Sequence, residues 1–464
     1  MKILLVKAAL NHNYGQVTPP LGLLYVSAAL KAAGYGDIRL LHMDAEQNAP
    51  ARLAETISSW RPDIVAFSAI TAEGKSLYDC AALAKRLLPG VKTIAGGPHP
   101  TGYAAECLSN GLDAVVIGEG ELTTVELTRA LEKNSPLEDV VGIAFMKDGA
   151  PVFTPRRPFV GNLDSLPLPD WDLVDFRRYS SFVPHTPFLH NTAYMSLFTS
   201  RGCPYRCTYC HNVMGKNFRA HSPERVISEF RALYARGIRH FELLDDIFNW
   251  DRERAAEIMR RLIAEKMDIG IYMCNGVRGD ILDEELIDLF ARAGVRFMSV
   301  AIETASPRLQ KAIKKNVNLD KLRRVVDMSV KRGIFTHGFF MLGFPGETYE
   351  EALETVRYGC SLNLHTCMIA FTLGYRGTEL GDGLDEGRAV TAFNDTGTYS
   401  AYSEFVNCSP LSDSQLRGLK RAFNTRFYFN PARLWRIVRD FPVKTPSAFA
   451  LMLKKFVTRT LVPR

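Results

Sequence analysis

The sequence predicts an α/β fold: a doubly wound, Rossmann-like parallel sheet over residues 1–150, a linker over 151–190, a partial (β/α)6 barrel over 191–380 and a basic, mainly helical region over 381–464. Three observations predict it. Short β-rich runs alternate with helical stretches of βαβ length in the first third; the alternation resumes, with six strands, in the middle; a proline-punctuated segment lies between.

In the first series the strands read "KILLVK", "DIRLLHM", "DIVAFSAI", "KTIAGGP" and "DAVVIGEG". The helices between them read "LGLLYVSAALKAAGY", "PARLAETISSW", "SLYDCAALAKRLL" and "TGYAAECLSNG". Ligands of such a sheet sit beyond the carboxyl ends of its strands. Three of those ends carry small or turn residues: Ser68 to Thr71, Gly96-Gly97-Pro98, and Gly118-Glu119-Gly120. Glycine there admits a ligand close to the backbone. No GxGxxG follows the first strand, which disfavours a dinucleotide. "VGIAFMKDGAPVFTPRRP" reads as a hairpin turning at Asp148-Gly149, and "NLDSLPLPDWDLVD" as the connector.

The middle strands are "YMSLFTS", "HFELLDD", "IGIYMCN", "RFMSVAIE", "FTHGFFMLG" and "CMIAFTL". Helices separate them, such as "SPERVISEFRALYARG", with Ser222 as N-cap and Gly237 just past its end. Six repeats are too few for a closed eight-stranded barrel and fit a partial one.

Over 464 residues, 47% hydrophobic and 23% charged composition excludes disordered and collagen-like classes. No apolar run reaches the roughly 20 residues of a membrane span, and "MKILLVKAALNHNYGQ" lacks a signal-length apolar core, so a cytoplasmic protein is expected. Six of the nine cysteines (Cys80, Cys107, Cys274, Cys360, Cys367, Cys408) are scattered singly, as buried apolar residues in a reducing compartment. The net charge of +7 is uneven: Arg417 to Arg464 carries +11 and the rest of the chain −4. This tail interleaves Arg and Lys with Phe, Tyr and Trp on helical spacing. Basic helices packed against the barrel opening are the simpler reading; contact with an anionic membrane surface is the alternative, and nucleic acid is disfavoured. The last four residues, "LVPR", match what thrombin leaves ahead of its cut and are set aside as a tag remnant.

"SRGCPYRCTYCHN" breaks the pattern of single cysteines. Cys203, Cys207 and Cys210 follow the first strand of the middle series, at the end where parallel barrels place their chemistry. CxxxCxxC without a fourth Cys or a nearby His pair is a poor tetrahedral zinc site, and His211, adjacent to Cys210, is expected to point away. Three thiolates suit three irons of a four-iron cluster and leave the fourth iron open.

"CPYRCTYC" resembles the signature of the radical S-adenosylmethionine enzymes in its C-x-x-x-C-x-aromatic-C form, Tyr209 being the aromatic residue. The resemblance implies a 4Fe-4S cluster whose open iron chelates S-adenosylmethionine, which is cleaved on reduction to a 5′-deoxyadenosyl radical. Asp245 and Asp246 in "LLDDIF" resemble the second-strand motif near the methionyl end, and Glu303 in "AIETAS" the fourth-strand motif facing the ribose. "MLGFPGET" resembles the fifth-strand turn, and Arg201 is placed to neutralise carboxylate or cluster charge. The first domain resembles a cobalamin-binding domain: "SAIT" corresponds to the turn that approaches the nucleotide tail, and "GGP" to the glycines that admit it, while "PPLGLLYVSAAL" and "GEGE" recur in the combined architecture. Over residues 1–380 the chain thus resembles the cobalamin-dependent radical S-adenosylmethionine group, which holds methylases of unreactive carbon or phosphorus and an anaerobic oxidative cyclase. Members that ligate cobalt through histidine carry DxHxxG after the first strand. Here the stretch is "LNHNYG", with Leu10 in place of the aspartate, so His12 is not expected to ligate cobalt.

The resemblance implies methylation of an unactivated carbon: one S-adenosylmethionine methylates cob(I)alamin, a second supplies the radical, and the substrate takes methyl from methylcobalamin. Oxidative cyclisation or rearrangement with the same cofactors is the alternative; a carrier without chemistry is disfavoured by the intact cysteine motif. Tyr272, Cys274 and Cys367 on the barrel strands are the candidate catalytic, substrate-holding residues. Implied partners are a small lipid-like or tetrapyrrole substrate and an electron donor such as flavodoxin or ferredoxin. An oxygen-sensitive cluster implies anaerobic handling.

Overall fold

The computed structural model describes residues 1–9, 17–211, 213–375, 377–385, 389–390, 406–443 and 450. The chain divides into two compact units, the first running from Met1 to Phe182 and the second starting at Val183.

The first unit alternates β1 (Ile3–Lys7), α1 (Leu21–Ala32), β2 (Ile38–His42), α2 (Ala49–Trp60), β3 (Ile64–Ser68), α3 (Gly74–Leu87) and β4 (Lys92–Gly96). It continues through α4 (Pro98–Gly102), α5 (Ala104–Ser109), β5 (Ala114–Val116) and α6 (Glu121–Lys133) to the hairpin β6 (Ile143–Lys147) and β7 (Ala150–Phe153). The sheet order is β2-β1-β3-β4-β5-β6-β7, parallel through β5 and antiparallel at the hairpin. Neighbouring residues of a strand feed two different cores. Leu4, Val6, Val65 and Phe67 pack on one face, Ile3, Leu5, Ile64 and Ala66 on the other. Burial on both faces is why these strands read as unbroken apolar runs. Asp148 and Gly149 both adopt positive φ (52° and 79°), the backbone of a two-residue hairpin turn that follows strand twist. "TGYAAECLSNG" departs from a single helix: α4 and α5 separate at Tyr103, whose φ is −129°.

The connector ends in α7 (Phe176–Ser180). The second unit then builds β8 (Tyr194–Leu197), a small ribbon of β9 (Ser200–Arg201) with β10 (Arg219–Ala220), and α8 (Pro223–Ala235). Next come β11 (His240–Leu243), α9 (Arg252–Glu265), β12 (Gly270–Val277), α10 (Glu284–Ala293) and β13 (Val295–Glu303). The series finishes with α11 (Pro307–Ala312), α12 (Leu319–Lys331), β14 (Phe335–Leu342), α13 (Tyr349–Ser361) and β15 (Thr366–Phe371). Six strands pair in parallel in the order β15-β14-β13-β12-β11-β8. This is the partial barrel. α8 begins as its sequence dictates: Ser222 Oγ accepts from Arg225 N at 3.2 Å, and Gly237 beyond the end has φ +91°.

Among the described residues three further helices follow, α14 (Glu379–Asp382), α15 (Asp413–Tyr428) and α16 (Pro431–Arg439). α15 buries Leu416, Leu419, Phe423 and Phe427, and Phe423 packs against Phe340 of β14 and over Gly359 of α13. Beyond α16, Phe441 and Val443 join Ile437, Phe188, Tyr194, Tyr272, Phe297 and Phe335 in one cluster. Most of its strand residues lie at or near strand starts, so the cluster closes the amino end of the barrel. The cysteine loop lies at the other end. Among the described residues no helix is long and apolar enough to cross a membrane.

Candidate functional site

β8 runs through Thr199 and Ser200 into the cysteine loop, and an aspartate pair holds that passage. Asp245, buried just beyond β11, accepts from Thr199 N (2.6 Å), Ser200 N (2.6 Å) and Thr199 Oγ1 (2.7 Å). Asp246 accepts from Gly202 N at 3.1 Å. Burial raises the Asp245 carboxyl above its ordinary range, opposed mainly by the Arg254 guanidinium. Gly202 is required where it stands: its φ is +85°, and a Cβ would fall 2.4 Å from Asn217 O. The chain after the cysteines therefore folds back onto their root, with Cys203 N donating to Gly215 O at 3.3 Å.

Cys203, Cys207 and Cys210 are free, half-buried thiols, and Cys210 N donates to Cys207 O at 3.1 Å to curl the loop. Thr208 anchors it further, giving N–H to Ile313 O (3.1 Å) and accepting from Leu380 N (2.8 Å). Burial pushes the Cys210 thiol up to about 11 and raises Cys203. Among the described residues no three His, Cys, Asp or Glu side chains close on a single metal ion. Ligands of a four-iron cluster need not, because each thiolate binds a different iron. Three unpaired thiols on a partly open loop fit such a cluster, and His211 beside them is exposed.

Tyr209 links this loop to the barrel. Its ring meets Phe344 edge-on at 5.9 Å, and its buried hydroxyl lies close to the Glu303 carboxylate. Burial, then Glu303, raises the phenol well above its ordinary value. Glu303 ends β13 past a register shift after Ala301; its φ is +67° and Lys315 Nζ lies 3.3 Å from Oε1. A non-glycine residue held left-handed costs about 1–3 kcal/mol and is concentrated at ligand sites. A buried carboxylate so fixed is suited to accept hydrogen bonds from a diol. In the turn after β14, buried Glu347 accepts from Gly343 N (2.5 Å) and Phe344 N (3.1 Å), and burial pushes its carboxyl up to about 7.

Tyr272 and Cys274 share one face of β12 toward the amino end of the barrel, and Cys367 lies on the opposite face of β15 from Thr366. Tyr272 belongs to the amino-end cluster, its hydroxyl 3.2 Å from His240 Nδ1. Cys274 packs against the same cluster with its thiol toward Leu243 O at 3.7 Å. Cys367 turns away from the barrel interior: the Tyr428 hydroxyl accepts from its N–H (3.2 Å) and donates to its C=O (3.1 Å). Burial raises all three side chains. The interior wall is instead formed by alternate, half-buried positions, His337, Phe339 and Met341 on β14 and Thr366, Met368 and Ala370 on β15. His337 Nδ1 and Thr366 Oγ1 are 2.8 Å apart. A polar pair thus stands in an apolar wall. Its signal in the sequence is a histidine at every-second-residue spacing within "FTHGFFMLG".

In the first unit the three small-residue turns meet. Gly97 has φ +97°, and a Cβ there would come 3.1 Å from Ala69 O and 3.2 Å from Ser68 Oγ. Gly118, at φ +83°, has open space where its side chain would be, and its N–H donates to Thr101 Oγ1 at 3.1 Å. The turns form a cradle that side chains would fill, which fits a ligand tail entering over Ser68, Thr71, Gly96 and Pro98. Glu119 is used locally, accepting from Val160 N at 2.7 Å, while a Cβ on Gly120 would meet Val26 at 3.2 Å. Two supports escaped the sequence reading. Buried Glu73 pairs with Lys7 and accepts from Ile70 N at 2.9 Å, holding the Ser68–Thr71 turn. Buried His99 bonds the Tyr78 hydroxyl at 2.8 Å under the glycine turn. His12, and the terminal residues 461–464, lie outside the described residues.

Residues 7–128 match the B12 binding domain family and residues 197–359 the radical SAM superfamily. An uncharacterized methyltransferase of Pyrococcus horikoshii is 31% identical over 442 residues, 93% of each chain. An anaerobic magnesium-protoporphyrin IX monomethyl ester cyclase of Rubrivivax gelatinosus is 29% identical over 73% of this chain and 61% of its own. The fold is similar to that of the radical S-adenosylmethionine methyltransferase TsrM of Kitasatospora setae, solved with tryptophan and a S-adenosylmethionine analogue: TM-score 0.67 at 21% identity, over 80% of this chain and 73% of that one. Three thiols suited to an open-iron cluster and a glycine cradle suited to a corrinoid tail thereby find one explanation: the chain belongs to the cobalamin-dependent radical S-adenosylmethionine enzymes.

Proposed function

We propose that this enzyme methylates an unactivated carbon of a small, largely apolar molecule. The observation that carries the proposal is the presence of both cradles in one chain, together with near full-length similarity to a protein named as a methyltransferase. When bound, cobalamin supplies the methyl group, and the cluster with S-adenosylmethionine supplies the hydrogen-abstracting radical.

The chain's own residues position these groups. Cys203, Cys207 and Cys210 hold three irons, on a root braced by Asp245 and Asp246. Glu303, steadied by Tyr209 and Lys315, receives the ribose hydroxyls. Ser68, Thr71, Gly96, Gly97, Pro98, Gly118 and Gly120 admit the corrinoid tail, with Glu119 fixing the segment beside them. Phe339, Met341 and Met368 offer an apolar wall, and His337 with Thr366 a single polar contact, a lining suited to a tetrapyrrole or lipid-like substrate. A flavodoxin or ferredoxin supplies the electron. With Leu10 in place of the orienting aspartate, cobalt is read as lacking a histidine ligand.

The test is product analysis with the reconstituted enzyme. Methylation gives a product heavier by one CH₂, with 5′-deoxyadenosine and S-adenosylhomocysteine in equal amounts. Deoxyadenosine without homocysteine overturns it and supports the second reading, oxidative cyclisation or rearrangement, which the similarity to the cyclase favours.

A further inference from the structure

α16 is built inside out. Arg433 is 2% exposed, its guanidinium giving hydrogen bonds to Cys360 O (2.9 Å) and Leu362 O (3.0 Å) and lying 3.4 Å from the centre of the Phe427 ring. The apolar residues face outward: Leu434 is 41%, Trp435 67% and Val438 52% exposed, and Phe429, in the link from α15, is 65% exposed. A helix that buries Arg433 and Ile437 and shows leucine, valine and tryptophan to solvent keeps an apolar face that its own domain does not cover. Something else receives that face.

Charge indicates what. Exposed Arg426, near the end of α15, and Arg439 on α16 flank it in the chain, and Asp440 is taken by His365 and Arg439. Beside the apolar residues is a depression of about 520 Å³ whose polar lining is Lys331, Asn363, Arg436, Arg439 and Asp440, the last ion-paired with Arg439. Between residue 443 and the four set-aside residues, the chain adds Lys444, Lys454, Lys455 and Arg459 and no acid. Aromatic and aliphatic side chains flanked by arginine are the composition of an interfacial helix on an anionic bilayer.

We propose that α16 docks this enzyme on an anionic membrane surface, with Trp435, Leu434, Val438 and Phe429 entering the headgroup layer and the Lys331–Arg436–Arg439 depression receiving a lipid phosphate. The patch belongs to the amino-end closure of the barrel, opposite the cysteine loop. Docking therefore leaves the cofactor end of the barrel turned away from the lipid.

The test is flotation of the full chain with phosphatidylglycerol-containing vesicles and with phosphatidylcholine vesicles at low salt. Binding only to the anionic vesicles, weakened roughly tenfold by the Phe429→Ser/Trp435→Ser pair and about fivefold by Lys331→Gln, is expected. Quenching of tryptophan emission by lipid-borne doxyl groups, abolished by Trp435→Phe, reports the contact without relying on the double variant's folding. Equal binding to both vesicles, binding undiminished by these variants, or a stable dimer that fails to float overturns the proposal; in the last case a second copy covers the face.

Discussion

The Tyr209 hydroxyl lies close to the Glu303 carboxylate, bringing the aromatic residue of the cysteine motif beside the last residue of β13. A hydrogen bond to a charged group is worth about 1.5–3 kcal/mol. Tyr209→Phe keeps the ring against Phe344 and removes only the hydroxyl beside Glu303. Binding of S-adenosylmethionine is expected to weaken roughly tenfold, measured calorimetrically, with iron content per chain unchanged. Parallel loss of iron would show instead that the hydroxyl serves loop folding.

Gly97→Val tests the first unit. Its φ of +97° is strained for any side chain, and a Cβ would press on Ala69 O at 3.1 Å. Cobalamin retention, read from the visible spectrum after desalting, is expected to fall at least about tenfold. Cleavage of S-adenosylmethionine by the same protein should persist.

Asp245→Ala leaves the N–H groups of Thr199 and Ser200 without their acceptor inside the protein. The expected cost is about 3 kcal/mol, seen as a lower urea midpoint, with reduced cluster loading because the root of the cysteine loop loosens. Asp245→Asn, retaining one acceptor oxygen, should lose less. A variant as stable as the parent would show that Asp245 braces nothing.

Stability should carry a pH signature from Glu347. Burial raises its carboxyl from an ordinary 4.5 to about 7, so the folded chain holds this proton more tightly than the unfolded one. Its contribution is fully present below the unfolded value and is lost as pH rises through about 7. Glu347→Gln keeps an acceptor for Gly343 and Phe344 but cannot ionise. Relative to the parent, the variant is expected to gain up to about 3 kcal/mol between about pH 5 and about pH 8, by denaturant titration. A flat difference across that range would assign the slope to other groups.

How far the sequence could be read depended on range. β1 to β5 were legible because burial on both faces makes each an apolar run, and the Asp148-Gly149 hairpin because few other residues accept its backbone. The three thiols were legible because they lie within one loop. What escaped was set by distant partners. Asp245 and Asp246 could be found from "LLDDIF", but their work as acceptors for the chain after β8 requires the β8–β11 pairing. Cys367 and Thr366 have opposite directions, and only the register of β15 on β14, with His337 opposite Thr366, decides which of them faces inward. The basic tail was legible as helical; that its arginine would be buried and its tryptophan shown was not, because the carbonyls receiving Arg433 belong to Cys360 and Leu362.

The amino end of the barrel is closed by Ile437, Phe441 and Val443, which are made after every strand they cover, the first of which begins at Tyr194. Domains fold from the N-terminus as they leave the ribosome. The first unit can finish folding while translation continues; the amino end of the barrel stays open to water until α16 and the residues just after it emerge.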